Sequence, residues 1–88
     1  MTKSLAKYKL LYTKTASRDI SKLDSVAKKK IKKKLEFYSQ KPLFYAKKLV
    51  NSSLGSYRWR IGNYRIVFDL DRNKIIILRV GHRKEIYR

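Results

Sequence analysis

The chain lacks cysteine altogether and contains only one histidine, one proline and three glycines in 88 residues. Without cysteine it can form neither a disulfide nor a thiolate metal site. A single histidine is too few for the usual zinc sites of proteins. Because proline and glycine are scarce, no flexible linker interrupts the chain, and we expect a single domain over residues 1–88.

Long hydrophobic runs are also missing. No apolar stretch approaches the roughly 18 residues that a membrane-spanning helix needs. The first nine residues contain scattered lysines but no hydrophobic segment typical of a signal peptide. Together with the absence of cysteine, these features indicate a cytoplasmic protein and no membrane partner.

Acidic residues are scarce as well: six Asp and Glu stand against 24 Lys and Arg, a formal net charge of +18. The composition is nevertheless 43% hydrophobic, which is enough for a folded core. A folded domain this basic attracts polyanions. Nucleic acid or the ribosome is the first class of partner to consider, an acidic protein the second, and a membrane surface a distant third. A purely solubilising role is disfavoured, because a one-signed excess is a poor route to solubility.

The first half of the chain predicts a strand and two helices. "KYKLLYTK" alternates in the manner of a strand, and Thr15 is in position to cap a short helix that contains Ala16, Ile20 and Leu23. A second helix opens at Asp24 or Ser25. Since almost nothing joins the two helices, we expect an antiparallel helical hairpin. The apolar stripe of the second helix consists of Ala27, Ile31, Leu35 and Tyr38.

Pro42 indicates the end of this hairpin, and the second half predicts three strands. A short helical turn within 43–50 and a loop over 51–56 are the expected connection. The strands are Tyr57–Ile61, Tyr64–Leu70 and Ile75–Val80, the last apolar on both faces as in a central, doubly covered strand. The order predicts an α+β fold: an N-terminal strand, a two-helix antiparallel hairpin and a three-stranded antiparallel meander, with the helices on one sheet face.

The segment "YRWRIGNYRIVF", residues 57–68, contains three arginines within strand-like sequence. A two-residue turn at Gly62-Asn63 would place Arg60 opposite Arg65. Like charges opposite each other are unfavourable, so folding alone gives no reason for this pair, whereas phosphate binding does. The alternative is that the arginine stems cover apolar surface. The turn divides the segment into an apolar face, Tyr57, Trp59, Ile61, Tyr64, Ile66 and Phe68, and an exposed face, Arg58, Arg60, Arg65 and Val67.

The C-terminal "VGHRKEIYR" adds further polar groups. His82 has the only side chain whose unperturbed pKa lies near neutrality; a lone histidine is more often a surface bystander, but its position beside the basic patch favours a role. RNA offers a reaction that needs no metal, because its 2′-hydroxyl can attack the adjacent phosphate. Arginines can stabilise the added charge, and a histidine or tyrosine can transfer the protons. The carboxylates suggest no metal site, and no cofactor motif is present.

The strand, the helical hairpin, "GNYRIVF" and "VGHRKEIY" resemble the RelE/ParE superfamily of type II toxin–antitoxin toxins, with the RelE branch the better match from about Tyr8 onwards. The resemblance implies a ribosome-dependent endoribonuclease that cleaves mRNA in the A site, inhibits translation and is itself inhibited by a RelB-like antitoxin. ParE-type relatives share the fold but are associated with DNA gyrase. A non-catalytic gyrase inhibitor, or a plain RNA-binding module, is therefore the alternative.

The resemblance also assigns roles to individual residues. Tyr87 becomes the general base or a ring that stacks on the substrate, and Arg83 the acid or charge stabiliser for the leaving group. His82 is a secondary candidate for proton transfer. Arg65 is expected to belong to the catalytic group and to hold phosphate there. The other positions expected to bind phosphate or RNA are Arg58, Arg60, Lys84 and the helical lysines, with Lys28, Lys29, Lys32 and Lys33 foremost.

Overall fold

A computed structural model describes residues 8–50 and 52–86 and confirms the α+β fold. Three helices accompany one five-stranded sheet, whose strand order is β1-β5-β4-β3-β2. β1 pairs with β5 in parallel, and the other pairings are antiparallel. The bounds are β1 Lys9–Tyr12, α1 Lys14–Ser21, α2 Ser25–Tyr38, β2 Lys47–Lys48, β3 Tyr57–Ile61, β4 Tyr64–Asp71, β5 Lys74–His82 and α3 Arg83–Ile86.

Side-chain caps begin the first two helices. Asp24 accepts a hydrogen bond from the backbone N–H of Ala27 at 2.8 Å, which confirms it as the cap of α2. Thr15 is not the cap of α1. Instead Thr13 accepts from the N–H of Ala16 at 3.0 Å, because its backbone is still extended and its own N–H donates to Ile77 of β5. The chain therefore stays paired with the sheet up to Thr13 and turns into the helix directly.

The core lies between the helices and one face of the sheet. The predicted stripe of α2 is buried at Ala27, Ile31 and Leu35, and Tyr38 packs against its edge. The buried cluster comprises Ala16, Ile31, Leu35, Trp59, Ile61, Ile66, Phe68, Ile75, Ile77 and Val80. Burial of these apolar side chains is the main stabilising contribution to the fold.

The opposite face of the sheet is covered in part by the loop that contains Gly55. A Cβ atom at Gly55 would lie 2.7 Å from both Leu78 Cδ1 and Val67 Cγ1, so only glycine lets the loop approach these side chains so closely. Val67 is fully buried, and Leu78 of β5 is half-buried. β5 is thus an interior strand between β1 and β4, and its second face is covered in part.

The connection after α2 differs from the expected helical turn within 43–50. Main-chain bonds from Phe44 to Lys41 and from Ala46 to Leu43 form short turns, and β2 follows at once. The buried Trp59 explains this, because its Nε1–H donates to the carbonyl of Pro42 at 2.9 Å and fixes the turn beside β3. β2 could not be predicted from the sequence pattern, because its two adjacent lysines show no alternation of apolar and polar residues.

Asp19 fastens α1 to β5. Its Oδ2 accepts hydrogen bonds from Arg79 Nε at 2.8 Å and from the N–H of Val80 at 2.9 Å. The hydrogen bond that Arg79 donates to the Asp19 carboxylate raises the pKa of the guanidinium. This ion pair connects α1 to the C-terminal part of β5, close to His82.

Within the described ranges, 8–50 and 52–86, no helix is long and apolar enough to cross a membrane.

Candidate functional site

The β3–β4 hairpin has the register that the sequence predicts. Ile61 pairs with Tyr64 and Arg60 with Arg65 across the two-residue turn. Gly62 has a φ of 59°, the sign that both type I′ and type II′ turns require at their first position. The arginine face of the hairpin, on the side of β3 opposite Trp59, is therefore confirmed in its register.

Arg65, however, does not project into solvent as predicted. It is only 7% exposed, and its Nη1 donates to the carbonyls of Gly62 and Tyr64 at 3.0 Å each. Carbonyl oxygens complement the guanidinium charge, which offsets part of its repulsion by Arg60 on the facing strand. Arg65 thus holds the hairpin turn in shape.

The other two hairpin arginines keep accessible positions, and a lysine joins them. Arg60 is exposed and Arg58 is half-buried. Lys47 of β2 pairs with Arg58 and is itself exposed, so the basic row extends to the edge of the sheet. The sequence did not predict a role for Lys47. The signal that could have identified it is the pair of adjacent lysines, because lysine is common on exposed edge strands.

The chain beyond β5 lies against the same hairpin turn. His82 pairs with Tyr64, and the backbone N–H of Arg83 donates to the carbonyl of Asn63 at 2.8 Å. Arg83 and Lys84 are exposed at the start of α3. The structure therefore brings the segment from 82 to 84 to the hairpin turn beside Arg65.

The ring of His82 accepts a hydrogen bond from the backbone. Its Nδ1 lies 3.3 Å from the backbone N–H of Lys84, which can only donate. Nδ1 is therefore the acceptor, and the neutral ring presents Nε2–H. Its ring centroid lies 6.1 Å from that of Tyr64, edge to face. This contact leaves Nε2 as the ring nitrogen available to a ligand.

A cavity of about 300 Å³ lies beside His82. Its lining includes charged groups of both signs from α1, β5 and α3, namely Asp19, Lys22, Arg79 and Glu85. Ile86 closes it from α3 and lies 3.6 Å from the position of a Cβ at Gly81. His82, which is half-buried, is itself part of this lining.

The predicted lysines of α2 fall on different sides of the helix. Lys28 and Lys32 line an apolar groove of about 430 Å³ with Tyr12, Ile20, Ile31 and Leu35. Burial in this groove, together with the negative charge of Glu36, raises the pKa of Tyr12. Lys29 and Lys33 lie exposed beside Lys30 and Glu36. None of the four predicted lysines is the one at the hairpin turn.

Lys30 occupies that position. Its Nζ lies 3.3 Å from where a Cβ at Gly62 would be, so its ammonium group reaches the turn that Arg65 stabilises. The run of six lysines gave no means of selecting this one from sequence. Tyr87, the predicted base or stacking ring, lies outside the described residues. Among the residues that the structure describes, no three His, Asp or Glu side chains group as metal ligands.

Comparisons with known proteins agree with this architecture. The family model described as the ParE toxin of the type II toxin–antitoxin system parDE matches residues 10–87. Toxin RelG of Mycobacterium tuberculosis is 34% identical over 87 residues, covering 92% of this chain and 97% of RelG. Toxin RelE3 of Methanocaldococcus jannaschii is 35% identical over 83 residues, covering 90% of this chain and 94% of RelE3.

Solved structures show the same fold. The toxin–antitoxin complex RelBE2 of Mycobacterium tuberculosis contains a chain with a TM-score of 0.78 and 31% identity, covering 85% of this chain and 96% of that one. The RelB-RelE complex of Methanococcus jannaschii gives 0.68 and 32%, covering 88% and 94%. These matches define a toxin of a type II toxin–antitoxin system. The chain belongs to the ParE toxin family, within the RelE/ParE superfamily.

Because Arg65 is buried and Arg60 is exposed, their substitution should affect stability differently. Arg65→Ala removes the donors to the turn carbonyls and is expected to lower the free energy of unfolding by about 1–3 kcal/mol. Arg60→Ala should change it by less than about 0.5 kcal/mol, since an exposed group is lost and a like-charge pair is relieved. Urea denaturation of both variants measures the difference. Equal effects would contradict the structural role of Arg65.

Proposed function

We propose that this toxin is an endoribonuclease that cleaves mRNA in the ribosomal A site without a metal ion. The observation that carries the proposal is the contact between the hairpin turn and the chain after β5, made by the Arg83 N–H and the Asn63 carbonyl. It gathers Arg83 and Lys84 at the turn that Arg65 and Lys30 also reach. Such a concentration of fixed cations suits the charge of a phosphorane transition state.

In the proposed reaction the 2′-oxygen of a nucleotide forms a bond to the adjacent phosphorus, and the bond from phosphorus to the 5′-oxygen breaks. The 2′-hydroxyl proton passes to a base, and the leaving 5′-oxygen receives a proton, so a 2′,3′-cyclic phosphate and a 5′-hydroxyl result. Arg58 and Arg60 hold the phosphates, with Lys47 extending their row. Arg83 balances the charge on the leaving group.

The remaining roles follow from burial and hydrogen bonding. Arg65 contributes by holding the turn from which the Asn63 carbonyl anchors Arg83. His82 is a secondary candidate and can contact a phosphate at the hairpin turn through Nε2, since its Nδ1 accepts from the Lys84 N–H. It pairs with Tyr64 and therefore lies outside the row of Arg58 and Arg60. Tyr87 retains the role of base or stacking ring that the family resemblance suggests. Lys84 and the helical lysines Lys28, Lys29, Lys32 and Lys33 add contacts to RNA phosphates, and no cofactor takes part.

The decisive experiment maps mRNA 5′ ends in a translation reaction to which the purified toxin is added. Cuts within codons at the A site are expected. Arg60→Ala and Arg83→Ala should each reduce cleavage by about 100-fold or more, because each removes fixed charge from the transition state. Arg72→Gly is the matched control: it removes one exposed arginine at the opposite end of β4, where φ is 59° and glycine fits. An intact message in this reaction, from a toxin that still inhibits the growth of cells expressing it, would refute the nuclease. It would favour a ParE-like inhibitor of gyrase.

His82 permits a separate test of its protonation. His82→Gln keeps an N–H donor near the position of Nε2 but cannot transfer a proton. If the histidine only donates a hydrogen bond, this variant should retain cleavage within about tenfold of the wild type, while His82→Ala loses more. A proton-transfer role predicts instead a loss of about 100-fold or more for both variants. Single-turnover cleavage on programmed ribosomes distinguishes the two results.

We also propose that a RelB-like antitoxin inhibits this toxin by occupying the apolar groove between β1, α1 and α2. The solved neighbours RelBE2 and RelB-RelE are both complexes with an antitoxin. The groove offers Ile20, Ile31 and Leu35 to an apolar side chain, and Lys28 and Lys32 to acidic ones. An acidic, amphipathic segment fits this surface. Bound there, it would also neutralise two lysines that RNA would otherwise contact.

Charge reversal tests this location. Lys28→Glu with Lys32→Glu should weaken binding of the cognate antitoxin by roughly tenfold at low salt and less at high salt. Lys29→Glu with Lys33→Glu changes the same net charge on the same helix but lies away from the groove, and should have a smaller effect. Titration of the antitoxin by calorimetry at two salt concentrations gives both affinities. Equal weakening by the two pairs would mean that only net charge matters.

A further inference from the structure

Four aromatic side chains, three of them exposed, form a cluster at the end of α2 and in the turn that follows it. This aromatic platform consists of Phe37, Tyr38, Phe44 and Tyr45. Phe44 is 77% exposed, Phe37 50% and Tyr45 36%. Soluble proteins seldom expose apolar side chains contiguously without an interaction to serve. The toxin mechanism proposed above uses none of these residues.

The platform is fixed to the core. The rings of Tyr38 and Tyr45 stack with centroids 4.6 Å apart, and Tyr38 also contacts the ring of Trp59 at 5.6 Å. Trp59 is fully buried and holds the turn through its hydrogen bond to Pro42. Phe44 meets Tyr45 edge to face at 5.0 Å. A column of rings therefore runs from the core to the surface, and a partner would meet rings that are already ordered.

Two lysines lie close to the rings of the aromatic platform. Lys34 Nζ lies 5.8 Å from the centroid of Phe37 and 5.7 Å from that of Tyr38, while Lys41 Nζ lies 5.9 Å from Phe44. Between positions 34 and 48 the sequence has four lysines and one acidic residue, Glu36. Flat aromatic faces edged by cations are what unpaired nucleotides require, because bases stack on the rings while lysines contact the phosphates.

We infer that the aromatic platform docks unpaired nucleotides of ribosomal RNA. The inference rests on the proposed ribosome-dependent function. The message is the less suitable occupant, because Trp59 and Arg60 alternate on β3 and project from opposite faces of the sheet. The platform packs on the Trp59 side, whereas the message would bind on the side of Arg58 and Arg60. The antitoxin proposed above binds elsewhere, in the apolar groove that Ile20 and Leu35 line.

The test measures binding to vacant ribosomes, which contain no message. Phe37→Ala combined with Phe44→Ala should weaken the affinity about fivefold to 100-fold, as expected for the loss of base stacking. Val26→Ala is the matched control, since Val26 is a 75% exposed apolar residue at the other end of α2. Phe44→Trp should retain the affinity, because a larger ring still stacks. All variants alter exposed side chains, and unchanged urea midpoints would show that they fold.

Photocrosslinking identifies the partner. A photoreactive phenylalanine analogue at position 44 should crosslink to ribosomal RNA; crosslinks confined to ribosomal proteins would overturn the inference, as would unchanged affinity of the double alanine variant. The result is separable from the nuclease proposal, because cleavage takes no part in it. A toxin that binds vacant ribosomes through the platform yet leaves messages intact would refute the nuclease and retain the docking surface.

Discussion

The two-residue turn at Gly62-Asn63 is the constraint on which the rest of the site depends. It sets the register of β3 and β4, so that Trp59 and Ile66 enter the core while Arg58 and Arg60 face away from it. The carbonyl of Gly62 binds Arg65, and that of Asn63 binds the backbone of Arg83. A turn one residue longer would exchange the faces of one strand and separate these contacts.

The domain accommodates its charge by giving similar cations different surroundings. Arg65 donates to two carbonyl oxygens of its own turn, Arg79 is paired with Asp19, and Arg60 is exposed to solvent. The first two therefore stabilise the fold, whereas the third contributes repulsion and is available to an anion. The better candidate for phosphate binding is an arginine whose side chain has no acceptor within the fold, because its hydrogen-bond donors are still available to a ligand.

The sequence predicted the elements whose side chains follow a simple period. The register of the hairpin, the stripe of Ala27, Ile31 and Leu35, and the Asp24 cap were all predictable, because alternation and capping are local properties. The sequence did not predict β2, the Thr13 cap or the burial of Arg65. The burial of Arg65 depends on its side-chain conformation, because the guanidinium folds back onto carbonyls of its own turn. β2 and the Thr13 cap instead depend on contacts between distant residues, Trp59 with Pro42 and Thr13 with Ile77. The role of Lys30 was hidden for the same reason.

The lysine run of α2 shows how one helix serves several surfaces. Because residues follow one another by 100°, "KKKIKKK" cannot place its charges on one side. With Ile31 buried, Lys28 and Lys32 border the groove, Lys29 and Lys33 face outwards, and Lys30 reaches the hairpin turn. Lys34 continues along the helix to the aromatic rings. An antitoxin that covered only the groove would leave the turn and the platform charged. If the toxin acts in the A site as proposed, complete inhibition would require either a longer antitoxin segment that wraps around the helix or a bound antitoxin too bulky to enter that site.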